Sequence, residues 1–275
     1  MPLKIAIQGF EGSFHQAAAK HFFGEAETIS CTTFREVIKV SENKKISDGG
    51  IMAIENSIAG SILPNYTLIQ KSNLEIVGEI YLHIRQHLLV NPGIKIEDIR
   101  EVHSHPIALL QCIEFLDKQH WKLVETDDTA LSAKHVHQTH SRHIAAVAGK
   151  LAAELYGLEI LVPNIQTMKN NYTRFLVLKR KGSPEIESEV NKASVNFFTD
   201  HSRGSLAKVL TLISKAGINL SKLQSVPIAG SDWKYSFHAD MEFENRKQFE
   251  KAIAAINPFT EELNILGTYK KGITV

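Results

Sequence analysis

The order of secondary structure that the sequence implies changes across one short segment, and that change limits the chain to a two-domain architecture. Between Arg180 and Lys192 runs Lys181-Gly182-Ser183-Pro184-Glu185-Ile186-Glu187-Ser188-Glu189, polar and acidic. Such a stretch buries little and reads as a linker. Upstream, short apolar runs alternate with helical stripes. Ile5-Ala6-Ile7 is a β run, followed by Gly9, Gly12 and a helix starting near Ser13, where Ser13 and Gln16 have capping-box spacing. Ile51-Met52-Ala53-Ile54 is a second run and leads into the polar turn Glu55-Asn56-Ser57. Ile144, Val147, Ala148, Leu151, Ala152 and Leu155 recur at helical spacing, with Gly157 suited to the helix end. Phe175-Leu176-Val177-Leu178 reads as a returning strand. This alternation implies an α/β domain with a mainly parallel sheet, whose sites lie at the C-terminal ends of strands.

Downstream, Ala193 to Phe198 alternates like a strand, and Leu206 to Ile213 carries a helical stripe stopped by Gly217. Ile218 to Val226 and Trp233 to Phe243 read as strands around a Gly230-Ser231-Asp232 turn. Phe249 to Ile256 reads as helix, and Leu263 to Tyr269 as a closing strand. The order is βαββαβ, the ferredoxin-like pattern. A chain of 275 residues is long enough for both cores.

Composition narrows the function. A formal net charge of +1 without a basic block gives little support for a nucleic-acid or membrane-surface partner, whereas a small anion needs only a few local cations. Cys31 and Cys112 lie far apart without a CxxC partner, so they read as reduced thiols. No apolar stretch approaches the roughly 20 residues that a bilayer requires. The N-terminus enters a strand-like run without a signal peptide, and a cytoplasmic location is expected.

Four segments have residues suited to chemistry, and each has a structural alternative. Gly9-Phe10-Glu11-Gly12-Ser13-Phe14, between strand and helix, would offer backbone N–H groups to a carboxylate or phosphate, or is simply a tight turn. It lacks the GK[ST] and GxGxxG patterns of nucleotide sites. Glu55-Asn56-Ser57 sits where a doubly wound sheet presents ligands, or it caps the next helix. In His103-Ser104-His105-Pro106, Pro106 fits a first helical turn with Ser104 and His105 at its edge. No third ligand at a recognised spacing supports a metal there, and His135, His137, His140 and His143 read as a solvated face of, or before, an amphipathic helix. Asn170-Asn171-Tyr172-Thr173-Arg174-Phe175 takes a hydroxyl and a guanidinium into a buried strand, where Arg174 needs an acid from a ligand or from Glu55. No nucleophile-elbow motif and no cofactor fingerprint is present. The residue types alone reach an enzyme or binding protein for a small anion.

At these same residues the chain resembles the prephenate dehydratase family over nearly its whole length. The shared elements occur in the family's order: Gly9 to Phe14, Ile54 to Ser57, Ser104-His105-Pro106 with Gln111-Cys112, Thr129-Ala130, Asn164-Ile165-Gln166, and Thr173-Arg174-Phe175. The C-terminal part resembles an ACT domain, an amino-acid-binding module, through His201-Ser202-Arg203-Gly204-Ser205-Leu206 and Leu223-Gln224-Ser225-Val226-Pro227. Phe10 stands where the family has proline, and His15 where it has serine. Gln224 and Val226 replace the glutamate and arginine of the ACT motif, which bears on the strength of phenylalanine control.

The resemblance implies a type II periplasmic-binding-protein-like catalytic domain over residues 1–180, one lobe formed by 1–80 and 163–180 and the other by 81–162. A linker at 181–191 and an ACT domain at 192–275 would follow. It implies conversion of prephenate to phenylpyruvate, CO2 and water without a cofactor or metal. Thr173 would contact the departing hydroxyl, with Asn56, Ser104 and Gln111 binding or orienting. Gly12, Ser13, His105 and Arg174 would meet substrate carboxylates, Phe175 would border the site, and Glu55 would orient its neighbours. L-Phenylalanine would bind around Gly204, Ser205, Leu206, Ala207, Leu223, Gln224 and Ser225 between subunits of a homo-oligomer, a dimer or tetramer joined through ACT domains. The alternatives are an arogenate dehydratase and a non-catalytic amino-acid-responsive binding protein.

Overall fold

Apolar runs too short for helices become the strands of two sheets in the N-terminal part of the computed structural model, which describes residues 2–183, 189–228, 230 and 234–275. The middle of the expected linker, and Ser231, Asp232 and Trp233 of the expected turn and strand, lie outside these residues. The chain begins β1 (Leu3–Gln8), α1 (Phe14–Phe23), β2 (Ala26–Cys31), α2 (Phe34–Glu42) and β3 (Gly49–Asn56). It continues through β4 (Gly60–Ser61), α3 (Leu63–Gln70) and β5 (Leu74–His83). After residues 84–86 it enters the second sheet with β6 (His87–Val90), β7 (Glu101–Ser104), α4 (Pro106–Gln111), α5 (Ile113–Leu116) and β8 (Lys122–Glu125). Then come α6 (Thr129–Thr139), β9 (Ile144–Ala148), α7 (Lys150–Tyr156) and β10 (Glu159–Val162), and residues 163–171 lead back to β11 (Tyr172–Arg180).

The first sheet has the order β2-β1-β3-β11-β5 with β4 on β3, and the second β10-β6-β9-β7-β8. Both are mixed, which corrects the expected mainly parallel sheet. β1 is parallel to β2 and β3, but β6 is antiparallel to β9 and β10. A strand that enters a sheet directly from another, with no helix to turn the chain around, is free to run antiparallel to its neighbours. The helix expected from Ile144 to Leu155 also needs correction: its first half is β9, and α7 begins only after Gly149. Ala145, Ala146, Val147 and Ala148 are fully buried. A central strand covered on both faces loses its alternation and resembles helix in the sequence.

The described residues pack as two units, Met1–Ser61 with Ile80–Phe175 and Thr274–Val275, and Ile62–Glu79 with Leu176–Ile273. This division does not follow the linker, because residues 62–79 belong to the C-terminal unit. There β12 (Lys192–Phe198), α8 (Ser205–Lys215), β13 (Asn219–Pro227), β14 (Tyr235–Glu242), α9 (Arg246–Ile256) and β15 (Glu262–Tyr269) form a sheet of order β13-β14-β12-β15. It is the expected βαββαβ arrangement. Ala193, Val195, Phe197, Ala239 and Met241 on one face pack with Val209, Ile213, Phe249, Ala252 and Ile256 around α8 and α9.

The opposite face of this sheet is polar and nevertheless buried. It carries Lys192, Ser194, Asn196, Ser236, His238 and Asp240. Residues 62–79 cover it: the Tyr66 ring lies 5.0 Å from His238, and a Cβ on Gly267 would collide with the backbone of Ile76. Lys192 Nζ donates to both carboxylate oxygens of Glu79, at 2.9 and 3.1 Å, with both side chains buried. Gly272 N–H adds a third bond to Glu79 Oε1 at 3.1 Å. A buried pair of this kind is stable only while both partners remain. Glu79→Gln is therefore expected to destabilise the protein by about 3–5 kcal/mol, and Glu79→Leu with Lys192→Met to recover most of that loss. Urea unfolding of the three proteins measures both effects.

Candidate active site

Asn56, the last residue of β3, is the hub of the polar groups where the two sheets are joined. Its Oδ1 accepts the backbone N–H groups of Ile58 and Ala59, at 3.0 and 2.8 Å. This fixes which end of the amide is which, so Nδ2 must face the start of β11. There its two hydrogens are shared among Asn171 Oδ1 at 2.7 Å, Thr173 Oγ1 at 3.0 Å and Tyr172 O at 3.2 Å. Ser57 locks the same junction, because its N–H donates to Tyr172 O and its Oγ accepts Tyr172 N–H, at 2.8 and 2.9 Å. Thr173 Oγ thus has an acceptor site filled, and its hydroxyl hydrogen has no acceptor among the described residues.

Two residues complete this centre: Asn171, quoted in the sequence within its segment but given no role, and Gln86, not singled out at all. Asn171 is fully buried, with its Nδ2 lacking a partner. Asn56 claims its oxygen, so flipping the amide would cost that bond. Gln86, also buried, has an N–H that donates to Gln166 Oε1 at 3.0 Å and an Nε2 that donates to Gln111 Oε1 at 3.5 Å. Its Oε1 lacks a partner, as does Thr167 Oγ1. The two crossings pair directly, through Ile84 N–H to Asn171 O at 2.7 Å and Ile165 N–H to Gln86 O at 2.8 Å. Buried amides without partners are rare, and their concentration here marks a place built for a polar ligand or water. The only trace in the sequence is that glutamines and asparagines recur near the crossings.

The structure brings Asn56 and Thr173 together, and Gln111 joins the crossings through Gln86. Ser104 ends β7 fully buried, with its hydroxyl donating to Val147 O at 2.6 Å, so its proton is already used to tie β7 to β9. His105 caps α4, with Nδ1 accepting Ile107 N–H at 3.2 Å. Glu55 is half-buried at the end of β3 and pairs in register with Ser61. Arg174 is buried beneath the Tyr81 ring, 5.9 Å from its centroid, and strand alternation puts it on the face opposite Thr173. Phe175 meets His15 edge-on at 4.9 Å.

The turn before α1 is satisfied internally. Ser13 Oγ accepts Gln16 N–H at 3.3 Å and Gly12 N–H donates to Gln16 Oε1 at 2.7 Å, so these groups are already occupied. Gly12 has φ +88°, and a Cβ there would stand 3.0 Å from Ala152 Cα, so only glycine allows the turn to lie against α7. A Cβ on Gly9 would lie 3.0 Å from Asp128 Oδ2. Asp128 caps α6 through Ala130 and Leu131 N–H, and burial raises its carboxyl above the usual range.

In the C-terminal unit, Gly204, with φ +84°, and Ser205 border a cavity of about 430 Å³ together with Arg203, Lys208 and Phe259. Leu206 packs on the core behind it, and Ala207 is exposed. Leu223, Gln224 and Ser225 lie instead on β13, at the sheet edge and away from this cavity. Among the described residues, no group of three or more His, Cys, Asp or Glu is placed to hold a metal ion, and no helix is long and apolar enough to cross a membrane.

Residues 5–183 match the family model described as prephenate dehydratase. The chain is 35% identical to a protein of Arabidopsis thaliana named arogenate dehydratase/prephenate dehydratase 2, chloroplastic, over 99% of this chain and 74% of that one. Among solved structures it is similar to one described as GqqA, a novel type of quorum quenching acylase, with TM-score 0.88, 30% identity and 98% of both chains covered. It is also similar to prephenate dehydratase from Arthrobacter aurescens in complex with L-Phe, with TM-score 0.85, 25% identity, and 98% and 90% covered.

His15 gives this site an acid limit. It is buried between Phe34 and Phe175, its Nε2 faces Ala53 N–H at 3.4 Å, and burial pushes its pKa down to about 3 from 6.5. The unfolded chain takes up a proton below pH 6.5 and the native one does not, so stability present above pH 6.5 is lost as pH falls towards 3. The full loss approaches about 5 kcal/mol at the rate of 1.36 kcal/mol per unit. His15→Gln keeps an acceptor but does not titrate. Urea unfolding between pH 7 and pH 4 should show a shallower decline in that variant, and an unchanged slope would acquit His15.

Proposed function

Because the chain belongs to the prephenate dehydratase family, we propose that the Asn56–Thr173 pair is the centre at which it dehydrates and decarboxylates prephenate. The enzyme is a dehydratase of the lyase class. In this reaction the bond from ring C1 to its carboxylate breaks and CO2 leaves. The electron pair enters the ring, and the C4–O bond breaks. One proton taken up by the departing oxygen completes water and leaves phenylpyruvate. Aromatisation supplies the driving force, so catalysis reduces to holding the dianion and helping the oxygen leave.

One observation supports this assignment most directly. Asn56 Nδ2, its direction set by the 57–59 turn, donates to Thr173 Oγ and leaves the threonine hydroxyl hydrogen as that group's available donor. A threonine is too weak an acid to protonate the leaving group alone near neutral pH. It acts by donating a hydrogen bond to the oxygen as negative charge develops there. Asn171 Nδ2 supplies a second buried donor beside it, and Gln86 and Gln111 position the polar wall. Gly12 and Ser13 contribute the shape of the turn, and His105 and the half-buried Asp128 close the far side. Ser104 holds the ends of β7 and β9 in register, and Arg174 supports the β11 strand from its opposite face.

We assign the catalytic part to a periplasmic-binding-protein-like fold and the C-terminal sheet to an ACT module that senses phenylalanine. The bound L-Phe named for the Arthrobacter relative and the cavity at Gly204 and Ser205 support this reading. Control acts by favouring one conformation over another, in an oligomer joined through this module. The two thiols, both buried, fit a cytoplasmic protein.

An acylase activity like that named for GqqA calls for an activated nucleophile. Burial pushes the Cys31 thiol up to about 11 and Cys112 up to about 12, and Ser104 Oγ–H is spent on Val147. Purified protein given prephenate or arogenate separately, with phenylpyruvate and phenylalanine followed, tests the assignment. We expect phenylpyruvate from prephenate. Thr173→Ala should fold normally and lose about 10²–10³-fold in kcat, with Thr173→Ser restoring most of it. Near-normal turnover in Thr173→Ala would reject the role.

A further inference from the structure

A cavity of about 640 Å³ lies on the side of the first crossing turned away from Gln86. His83, Arg85 and His87 of that crossing line it, whereas Ile84 and Gln86 between them bond to Asn171, Gln111 and Gln166. Alternation along the extended chain separates the two sets. One wall is α1 with Phe14 and Lys20, and the facing wall is α7 with Lys150 and Leu151. The walls touch at the bottom, where a Cβ on Gly149 would come within 2.9 Å of the Phe14 ring. Of the residues on which the dehydratase reading rests, only Gly12 and Ser13 of the α1 turn border this cavity, and their polar groups are engaged with Gln16.

The charged side chains of the lining are mostly basic. Lys20, Arg85 and Lys150 face one acidic side chain, Glu154, which sits 3.1 Å from Lys150 in an exposed pair of small value. Val275, the last residue of the sequence, also borders the cavity, and an oxygen of its terminal carboxylate accepts His83 N–H at 2.8 Å, a second negative group beside Glu154. Arg85 spends only Nε, on His83 Nδ1 at 3.3 Å, so its two terminal nitrogens are uncommitted among the described residues. His87 is 6% exposed, and its Nδ1 accepts Asn164 N–H at 3.1 Å. Its Nε2 has no partner among the described residues. Asn164 holds a left-handed backbone, φ +54°, to present that N–H, an arrangement costly for a non-glycine residue. Burial, together with the charges of Arg85 and Lys150, keeps the His87 imidazole below its ordinary pKa.

We propose that this cavity is a second binding site, separate from the catalytic centre, for a small organic oxyanion whose carboxylate or phosphate group is held by Lys20, Arg85, Lys150 and His87 Nε2. Phe14, Leu82 and Leu151 receive its apolar body. A guanidinium with two ammonium groups suits a carboxylate or phosphate and offers nothing to a cation. Because α1 packs on the first sheet and α7 on the second, the bound anion bridges the two. This inference is independent of the dehydratase assignment, since it uses none of that reaction's chemistry.

The test follows the His87 ring C–H resonance by NMR, assigned with His87→Gln, in the full chain at constant ionic strength. Inorganic phosphate, succinate and phenylphosphate are titrated in turn. We expect a saturable shift with at least one of them. Binding should weaken about ten-fold or more in Lys20→Gln with Lys150→Gln, a combined loss of at least about 1.4 kcal/mol for the two lysine contacts. Basal kcat should be unchanged in that variant, because both lysines are exposed and line a cavity that neither Thr173 nor Asn56 borders. A response to succinate assigns a carboxylate ligand, and a response to the phosphates alone assigns a phosphate. Thr173→Ala should leave the titration intact. The site is refuted by no saturable response to any of the three anions, by equal response in the double lysine variant, or by loss of the response in Thr173→Ala.

Discussion

The polar centre at the junction of β3 and β11 turns on the orientation of a single amide. Two backbone N–H groups from the turn after β3 hold the oxygen of Asn56, so its nitrogen can only point towards the start of β11. From that constraint follow the direction of the Asn171 side chain, the filled lone pair of Thr173 and the release of the threonine hydrogen as a donor. In the role proposed for it, a hydroxyl of ordinary acidity is useful because a neighbour has settled which way it must face. Preorganisation of this kind costs nothing when charge develops, and this is where such sites derive most of their effect.

The crossings extend the same logic. Gln86 and Gln166, Ile84 and Asn171, and Ile165 and Gln86 join two segments about eighty positions apart into a narrow ladder. Its two faces have opposite characters. One bears neutral amides, some with unfilled bonding capacity, and the other bears cations. An extended chain exposes alternate residues to alternate sides, so one short stretch furnishes both without either interfering with the other.

Much of this was legible in the sequence, though unevenly. Strand β1, the Ser13 cap, β11 and the βαββαβ order all follow from local pattern, because each is decided by residues a few positions apart. The Asn56 and Thr173 segments stand out as separate motifs, but their bond spans 117 positions and no spacing rule reaches that far. Ser104 is expected from the resemblance to bind or orient substrate, and only β9 alongside it shows that its hydroxyl donates to Val147 O. The misread segment at Ile144 to Ala148 fails for a related reason: full burial on both faces erases the period that distinguishes strand from helix. The inclusion of residues 62–79 with the C-terminal sheet was not legible at all, since it rests on contacts between residues far apart in the chain: Tyr66 with His238, Ile76 with Gly267 and Glu79 with Lys192.

That lysine and glutamate stand 113 positions apart. On the ribosome, Tyr66, Ile76 and Glu79 emerge long before the sheet that will shelter them has been made. The nascent N-terminal stretch therefore has an interior charge and apolar surface waiting for a later partner, and its final architecture must be assembled from both ends of the polypeptide rather than vectorially from one. Shortening the protein at the apparent linker would remove not an appendage but the roof over a helix of the first half.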